Sequence, residues 1–245
     1  MKKEIGTLYG IGVGPGDPEL IPIKSARILE KVDVIFTASS TKNDYSLAVR
    51  IAEPHIPSNT AVKMLPFPMT NDLEEKEAAW KDHAQTIMRE LQEGKDVAFL
   101  TLGDPMTYST YGYVLKHVKA ANGNFPIVTV PGITSYQAAA AGTNTPLVEG
   151  EESLVILSGV KGGTHLRKLS NGAGNGPENV VFLKAYKNVK DINLALEERD
   201  MLDTSIGVSN CSFANQEVTY DLREFNSKPP KYWTLIIAKK NANNT

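Results

Sequence analysis

The run Val97–Leu102 (VAFLTL) lacks the apolar–polar alternation of a strand with one wet face. Such a strand needs cover on both faces, which is the condition of the interior of a parallel sheet with helices above and below. The neighbouring chain supplies the other parts. Strands are expected at Thr7–Val13, Asp33–Thr37, Ala61–Leu65 and Ile127–Val130. Helices are expected at Pro18–Val32, Tyr45–Ile51, Leu73–Gln92, Tyr108–Ala121 and Thr134–Ala141, the third capped by Asn71 or Asp72 and stopped by Gly94. A succession of β-then-α units implies a mostly parallel sheet.

The polar stretch Thr143–Glu152 marks a boundary, giving an N-terminal α/β domain over 1–146 and a C-terminal one over 147–245. In the second half, strands are expected at Leu154–Leu157, Val180–Lys184, Ser205–Ser209 and Trp233–Ala238, with a further one at Val218–Leu222. A helix spans Asp191–Arg199, and the Gly- and Asn-rich segment Lys161–Glu178 reads as a long loop. The fold class is therefore α/β, with two domains and mostly parallel or mixed sheets.

Composition excludes several functions. Lys and Arg total 26 against 28 Asp and Glu, a net charge of −2, so a chain-wide grip on nucleic acid is not expected. The single Cys211 forms no internal disulfide, and His55, His83, His117 and His165 match no metal-ligand spacing, so no metal site is expected. No run reaches the roughly 18 apolar residues of a membrane helix. The glycine- and proline-broken start is a poor signal peptide, and a cytoplasmic protein is expected.

Three strand-to-helix turns carry chemistry. Gly12-Val13-Gly14-Pro15-Gly16-Asp17 sits where a dinucleotide fingerprint would, but its sixth position is Asp17 and Pro15 interrupts it, which disfavours NAD. Read alone it is a tight turn. Leu102-Gly103-Asp104-Pro105 leaves the most buried strand at the edge where open α/β sheets place ligands, although Asp-Pro turns often serve only as helix caps. Pro131-Gly132-Ile133-Thr134-Ser135 opens a helix of small residues that either packs tightly or leaves room for a ligand. Both Gly-Asp-Pro turns, with Asp17 and Asp104, are expected at one sheet edge. Cys211 has no CxxC partner and reads as a buried small hydrophobe.

Five segments in order resemble the tetrapyrrole methylase family: GIGVGPGDPELIPIKSARIL, VAFLTLGDPMTYSTY, VPGITSYQAAAA, VSNCSFANQEV and PPKYWTLIIAKK. The resemblance implies two α/β domains holding S-adenosylmethionine in a cleft between them, and a homodimer. TLGDPMTYSTY is most similar to the branch that methylates carbon 20 of precorrin-2 or cobalt-factor II in cobalamin synthesis. Motif positions imply cofactor contacts at Pro15, Leu102, Gly103, Asp104, Thr134, Ser135, Lys184, Cys211 and Thr234. Lys184, where relatives often carry Met, is expected to contribute its backbone. Asp17, Asp104 and Tyr108 are the candidates for removing the ring proton. The substrate implied is a multiply carboxylated tetrapyrrole, for which Lys42, Arg50, Lys161, Arg167 and Lys168 are candidate partners. Rival readings are a diphthine synthase or ribosomal-RNA ribose methylase of the same fold, or a non-catalytic nucleotide-binding module.

Overall fold

The computed structural model describes residues 4–40, 46–121, 123–169, 176–228 and 230–240. The chain divides into two compact units, Met1–Thr134 and Ser135–Thr245. The expected boundary after residue 146 falls C-terminal to that division.

The first unit holds five strands, β1 (Leu8–Gly12), β2 (Val34–Ser40), β3 (Ala61–Phe67), β4 (Val97–Thr101) and β5 (Ile127–Val130). They form one sheet in the order β3-β2-β4-β1-β5, and every pairing is parallel. All five residues of β4 are buried, as its unbroken apolar run requires. The helices are α1 (Ile23–Leu29), α2 (Leu47–Ala52), α3 (Leu73–Gln92) and α4 (Tyr111–Ala120). Leu8, Val34, Phe36, Val97 and Phe99 pack under α3 and α4 through Ala84, Ile87, Leu91, Val114 and Val118. The alternate residues Ile11, Ile35, Ala98 and Leu100 are buried on the other face.

Local chemistry sets the helix ends. Asp72 caps α3, its carboxylate accepting from the amides of Glu74 and Glu75. The helix expected over Pro18–Val32 is split. Pro18–Leu20 is a 3₁₀ turn and α1 begins only after Pro22, which has no N–H to continue a helix into it. Similarly, α4 starts at Tyr111 rather than Tyr108, because Tyr108 has φ +51, outside the helical region.

The second unit begins with α5 (Ser135–Gly142) and adds β6 (Leu154–Ser158), α6 (Thr164–Lys168), β7 (Asn179–Leu183), α7 (Val189–Glu197), β8 (Ile206–Ser209), β9 (Glu217–Thr219) and β10 (Thr234–Lys239). Its sheet runs β6-β7-β10-β8-β9. β6 and β7 are parallel, while β10 lies antiparallel between β7 and β8, so the sheet is mixed. One face packs on α6 and α7 through Phe182, Leu166, Ile192 and Leu196. The other packs on Ala138, Ala139 and Ala140 of α5, so the small-residue helix resolves as close packing. The expected loop over Lys161–Glu178 contains α6, held by Arg167, which donates to Asp191 and Glu198.

Phe99 is fully buried and meets Phe67 edge-on at 6.4 Å between centroids. Phe99→Ala should lower stability by about 3–5 kcal/mol. Leu73→Ala, at a residue 75% exposed, should stay within about 0.5 kcal/mol. Urea unfolding measures both.

Candidate functional site

In the first sheet β1 lies between β4 and β5, so three turns leave adjacent strands at the same, carboxyl-terminal edge. The connection from β1 runs across β4 toward β2, and that from β4 runs across β1 toward β5. Right-handed crossovers in opposite directions lie on opposite faces. Between β1 and β4 the chain therefore parts to both faces, which is the topological switch where open α/β sheets bind ligands.

The three turns touch through backbone. Gly14 and Gly103 exchange hydrogen bonds, with Gly103 N donating to Gly14 O at 2.7 Å and Gly14 N donating to Gly103 O at 3.3 Å. A Cβ on Gly12 would lie 2.6 Å from Gly132 N, and one on Gly132 would lie 2.1 Å from Gly103 O. Gly103 itself has φ +70, and a Cβ there would meet nothing closer than Ile133 O at 3.8 Å. The first two glycines are demanded by contact and the third by conformation beside open space.

Asp104 ties these turns together. Its Oδ1 accepts from Met106 N at 2.8 Å and Thr107 Oγ1 at 3.3 Å, and its Oδ2 accepts from Gly132 N at 3.1 Å. A carboxylate offers about four lone-pair positions, so one remains for a ligand. The Asp17 side chain accepts from Glu19 N and caps the 3₁₀ turn at Pro18–Leu20. Tyr108 is 51% exposed in the left-handed region, which is uncommon for an aromatic residue and is the kind of backbone strain that gathers at functional turns. Pro15 and Thr134 are buried and Leu102 is half-buried at this edge. The structure thus brings Pro15, Asp17, Leu102, Gly103, Asp104, Tyr108 and Thr134 to one end of the first unit. Gly12 and Gly132, although visible in the motifs, emerge as contact residues only from the packing.

The remaining expected contacts gather at one edge of the second sheet. The ends of β7 and β8 and the start of β10 meet there, with Thr234 opposite Ser209 and Ala185 N donating to Thr234 O at 3.1 Å. Ser209 Oγ and Thr234 Oγ1 are 2.6 Å apart. Cys211 Sγ donates to Ser135 O at 3.4 Å, joining α5 to this edge. Lys184 (φ +60), Asn210 (φ +50) and Ser212 (φ +65) all take left-handed backbone here. Ser209, which ends β8, and Asn210, which follows it, stand at the same edge, although the sequence marks them only as polar residues at a strand end.

The candidate ring-binding cations divide. Arg167 is committed to Asp191 at 2.9 Å and Glu198 at 2.8 Å. Arg50 sits in the last turn of α2, Lys161 and Lys168 are exposed, and Lys42 lies outside the described residues. Burial pushes the Cys211 thiol above its ordinary range, with Ser212 opposing. A thiol kept neutral is a poor nucleophile.

Two outcomes follow. Gly132→Ala should cost about 1–3 kcal/mol by overpacking. Gly112→Ala, in α4 with nothing within 4 Å of its Cβ, should be neutral or stabilising, and urea unfolding separates the pair. Native Cys211 should react slowly with a disulfide reagent at pH 8 and rapidly in denaturant, read as thiolate released over time.

Comparisons with known proteins identify the family and the fold. The model of the Tetrapyrrole (Corrin/Porphyrin) Methylases matches residues 7–225. A cobalt-precorrin-2 C(20)-methyltransferase of Salmonella typhimurium is 30% identical over 236 residues, covering 96% of this chain and 97% of the relative. A precorrin-2 C(20)-methyltransferase of a Sinorhizobium species is 29% identical over 243 residues, covering 95% of each. Among solved structures, uroporphyrin-III C-methyl transferase from Thermus thermophilus, complexed with S-adenyl homocysteine, shares the fold at a TM-score of 0.65 and 22% identity, over 96% of this chain and 97% of that one. A family match over most of the sequence, joined to a glycine-packed switch point at the expected edge, makes the chain a member of the tetrapyrrole methylase family.

Proposed function

We propose that the chain is an S-adenosylmethionine-dependent C-methyltransferase acting at meso carbon 20 of a reduced tetrapyrrole, precorrin-2 or its cobalt form, in cobalamin biosynthesis. The observation that carries this reading is end-to-end correspondence with relatives named for C(20) methylation. The reading assigns Pro15, Leu102, Gly103, Asp104 and Thr134 of the first unit, and Ser135, Lys184, Cys211 and Thr234 of the second, to the cofactor.

The residues fit such a cofactor. Turns 13–17, 102–110 and 131–134 contain no Lys or Arg, so a cationic group there meets carbonyls, Asp17 and Asp104 rather than like charge. Gly103 leaves open space beside its backbone. When bound, S-adenosylmethionine supplies a sulfonium methyl, transferred in line to an electron-rich ring carbon as the charge on sulfur disappears.

The protein's part is then mainly alignment, which can supply about 7–11 kcal/mol of such a barrier. A carboxylate pressed on the sulfonium would stabilise the ground state more than the transition state. Asp104, held by three protein donors, instead offers its remaining lone pair to the amino-acid or ribose portion of the cofactor. Cys211, neutral and packed on α5, lines the site without attacking. The acceptor of the ring proton is drawn from Asp17, Asp104 and Tyr108, the groups at this edge with suitable chemistry.

The reading also takes the protein as a cytoplasmic homodimer, with sedimentation equilibrium as the measurement of its assembly. Among the described residues no helix is long and apolar enough to cross a membrane.

Incubation with S-adenosylmethionine and precorrin-2, with and without cobalt, should add one methyl by mass, located at carbon 20 by NMR. No methyl in either form overturns the reading. Asp104→Asn turns one acceptor into a donor facing backbone N–H groups. At about 1–3 kcal/mol for a group left without its hydrogen bond, S-adenosylmethionine affinity should fall about 5- to 160-fold by calorimetry.

A further inference from the structure

The same edge of the second sheet carries a feature that no cofactor contact uses. Tyr186 follows β7, and Tyr232 and Trp233 precede β10, the neighbouring strand. The Tyr186 and Tyr232 rings lie 4.7 Å apart at 52°, and those of Tyr232 and Trp233 lie 5.1 Å apart at 84°. Tyr232 is 54% and Trp233 46% exposed, so the cluster presents ring surface to solvent where an apolar core would have hidden it.

The turn after β6 is fastened to the segment after β7 that carries Tyr186. Asn188 Nδ2 donates to Val160 O at 2.7 Å. A Cβ on Gly159 would lie 2.9 Å from Ala185 Cα, so the turns after β6 and β7 touch through backbone. The clamp sets Lys161 beside the segment that bears Tyr186, Lys187 and Lys190. Lys187 Nζ lies 5.6 Å from the Tyr186 ring centroid. Among the described residues, Lys161, Lys187 and Lys190 enter no ion pair, whereas Lys231 is neutralised by Glu217 and Arg167 by Asp191 and Glu198.

We propose that the Tyr186, Tyr232 and Trp233 cluster receives a planar, polycarboxylated ring, one aromatic ring stacking on its face and the inclined neighbours meeting it edge-on, with its carboxylates met by Lys161, Lys187 and Lys190. This rests on the substrate reading above and deepens it. Charge decides between occupants. An adenine also stacks on aromatic faces, but the adenosyl cofactor brings a single carboxylate, whereas Lys187 beside the Tyr186 ring, with Lys161 on the adjoining turn and Lys190 on the helix that follows, matches an anion carrying several. Two like surfaces would set these lysines against each other, which disfavours a second copy.

The test compares wild type with Tyr232→Leu/Trp233→Leu and with Lys161→Gln/Lys187→Gln. The measured quantities are KM for precorrin-2, the dissociation constant of S-adenosylmethionine by calorimetry, and sedimentation. The expected result is a five- to tenfold rise in precorrin-2 KM in each variant, with cofactor affinity at the wild-type value. The lysine variant should also show a weaker dependence of KM on salt. A parallel loss of cofactor affinity would make this an adenine surface, a lighter species in sedimentation would make it a subunit contact, and an unchanged KM would leave it no role. Each overturns the proposal while methyl transfer by wild type upholds the function.

If wild type transfers no methyl, Trp233 fluorescence in a Trp80→Phe background, titrated with uroporphyrin, still decides. Saturable quenching that weakens at least fivefold with Lys161→Gln/Lys187→Gln supports the ring site without that reaction. Its absence removes the ring site.

Discussion

The carbonyl oxygen of Gly103 stands 2.1 Å from where a Cβ on Gly132 would have to be, and a Cβ on Gly12 would meet the same oxygen at 2.7 Å. Three strand ends can approach this closely only with no side chains between them. Once they do, Asp104 reaches from one turn to the Gly132 amide of another, and Gly14 pairs with Gly103. The edge then presents backbone groups and carboxylates at fixed positions. Parallel pairing of β4, β1 and β5 is the precondition, because it puts all three carboxyl ends on one side.

The second sheet reaches a comparable edge differently. There β10 runs antiparallel between β7 and β8, so the start of one strand lies between the ends of two others. Hydroxyl pairing of Ser209 with Thr234 and left-handed turns at Lys184, Asn210 and Ser212 do what glycine packing does in the first unit. Left-handed backbone costs a non-glycine residue roughly 1–2 kcal/mol. That three such residues follow the ends of β7 and β8, the two strands flanking β10, is a concentration of strain where the proposal assigns cofactor contacts.

Much of the first unit was legible because its signals are local. Val97–Leu102 announced a strand buried on both faces, and Leu73–Gln92 shows as a helix with the bounds its periodicity and Asp72 cap imply. The two Gly-Asp-Pro turns landed at one edge as expected. What stayed hidden lies in backbone restriction or in partners distant in the chain. Pro22 and Tyr108 delayed α1 and α4 through backbone restriction that an apolar pattern does not record. The five-residue α6 sits in Gly-rich sequence and is held by Arg167, whose acids are 24 and 31 positions away. The strand expected at Trp233–Ala238 begins at Thr234, and Trp233 is left half exposed beside Tyr232, since apolarity alone cannot say which end of a run stops being covered. Nor could a count of basic residues tell that Arg167 is spent while Lys161 enters no ion pair among the described residues.

The strand order of the first sheet also bears on how the chain is made. β1 is made before the other strands of its sheet, but both of its neighbours come from beyond residue 96. Until β4 and β5 exist, β1 has two open edges, and unpaired strand edges invite association with other chains. Contacts so distant in sequence form slowly, because a long loop must close before any pairing rewards it. During translation, the carboxyl-terminal edge of the first sheet is among the last features of its unit to come into being, and the ribosome must have released Gly132 before that edge can close.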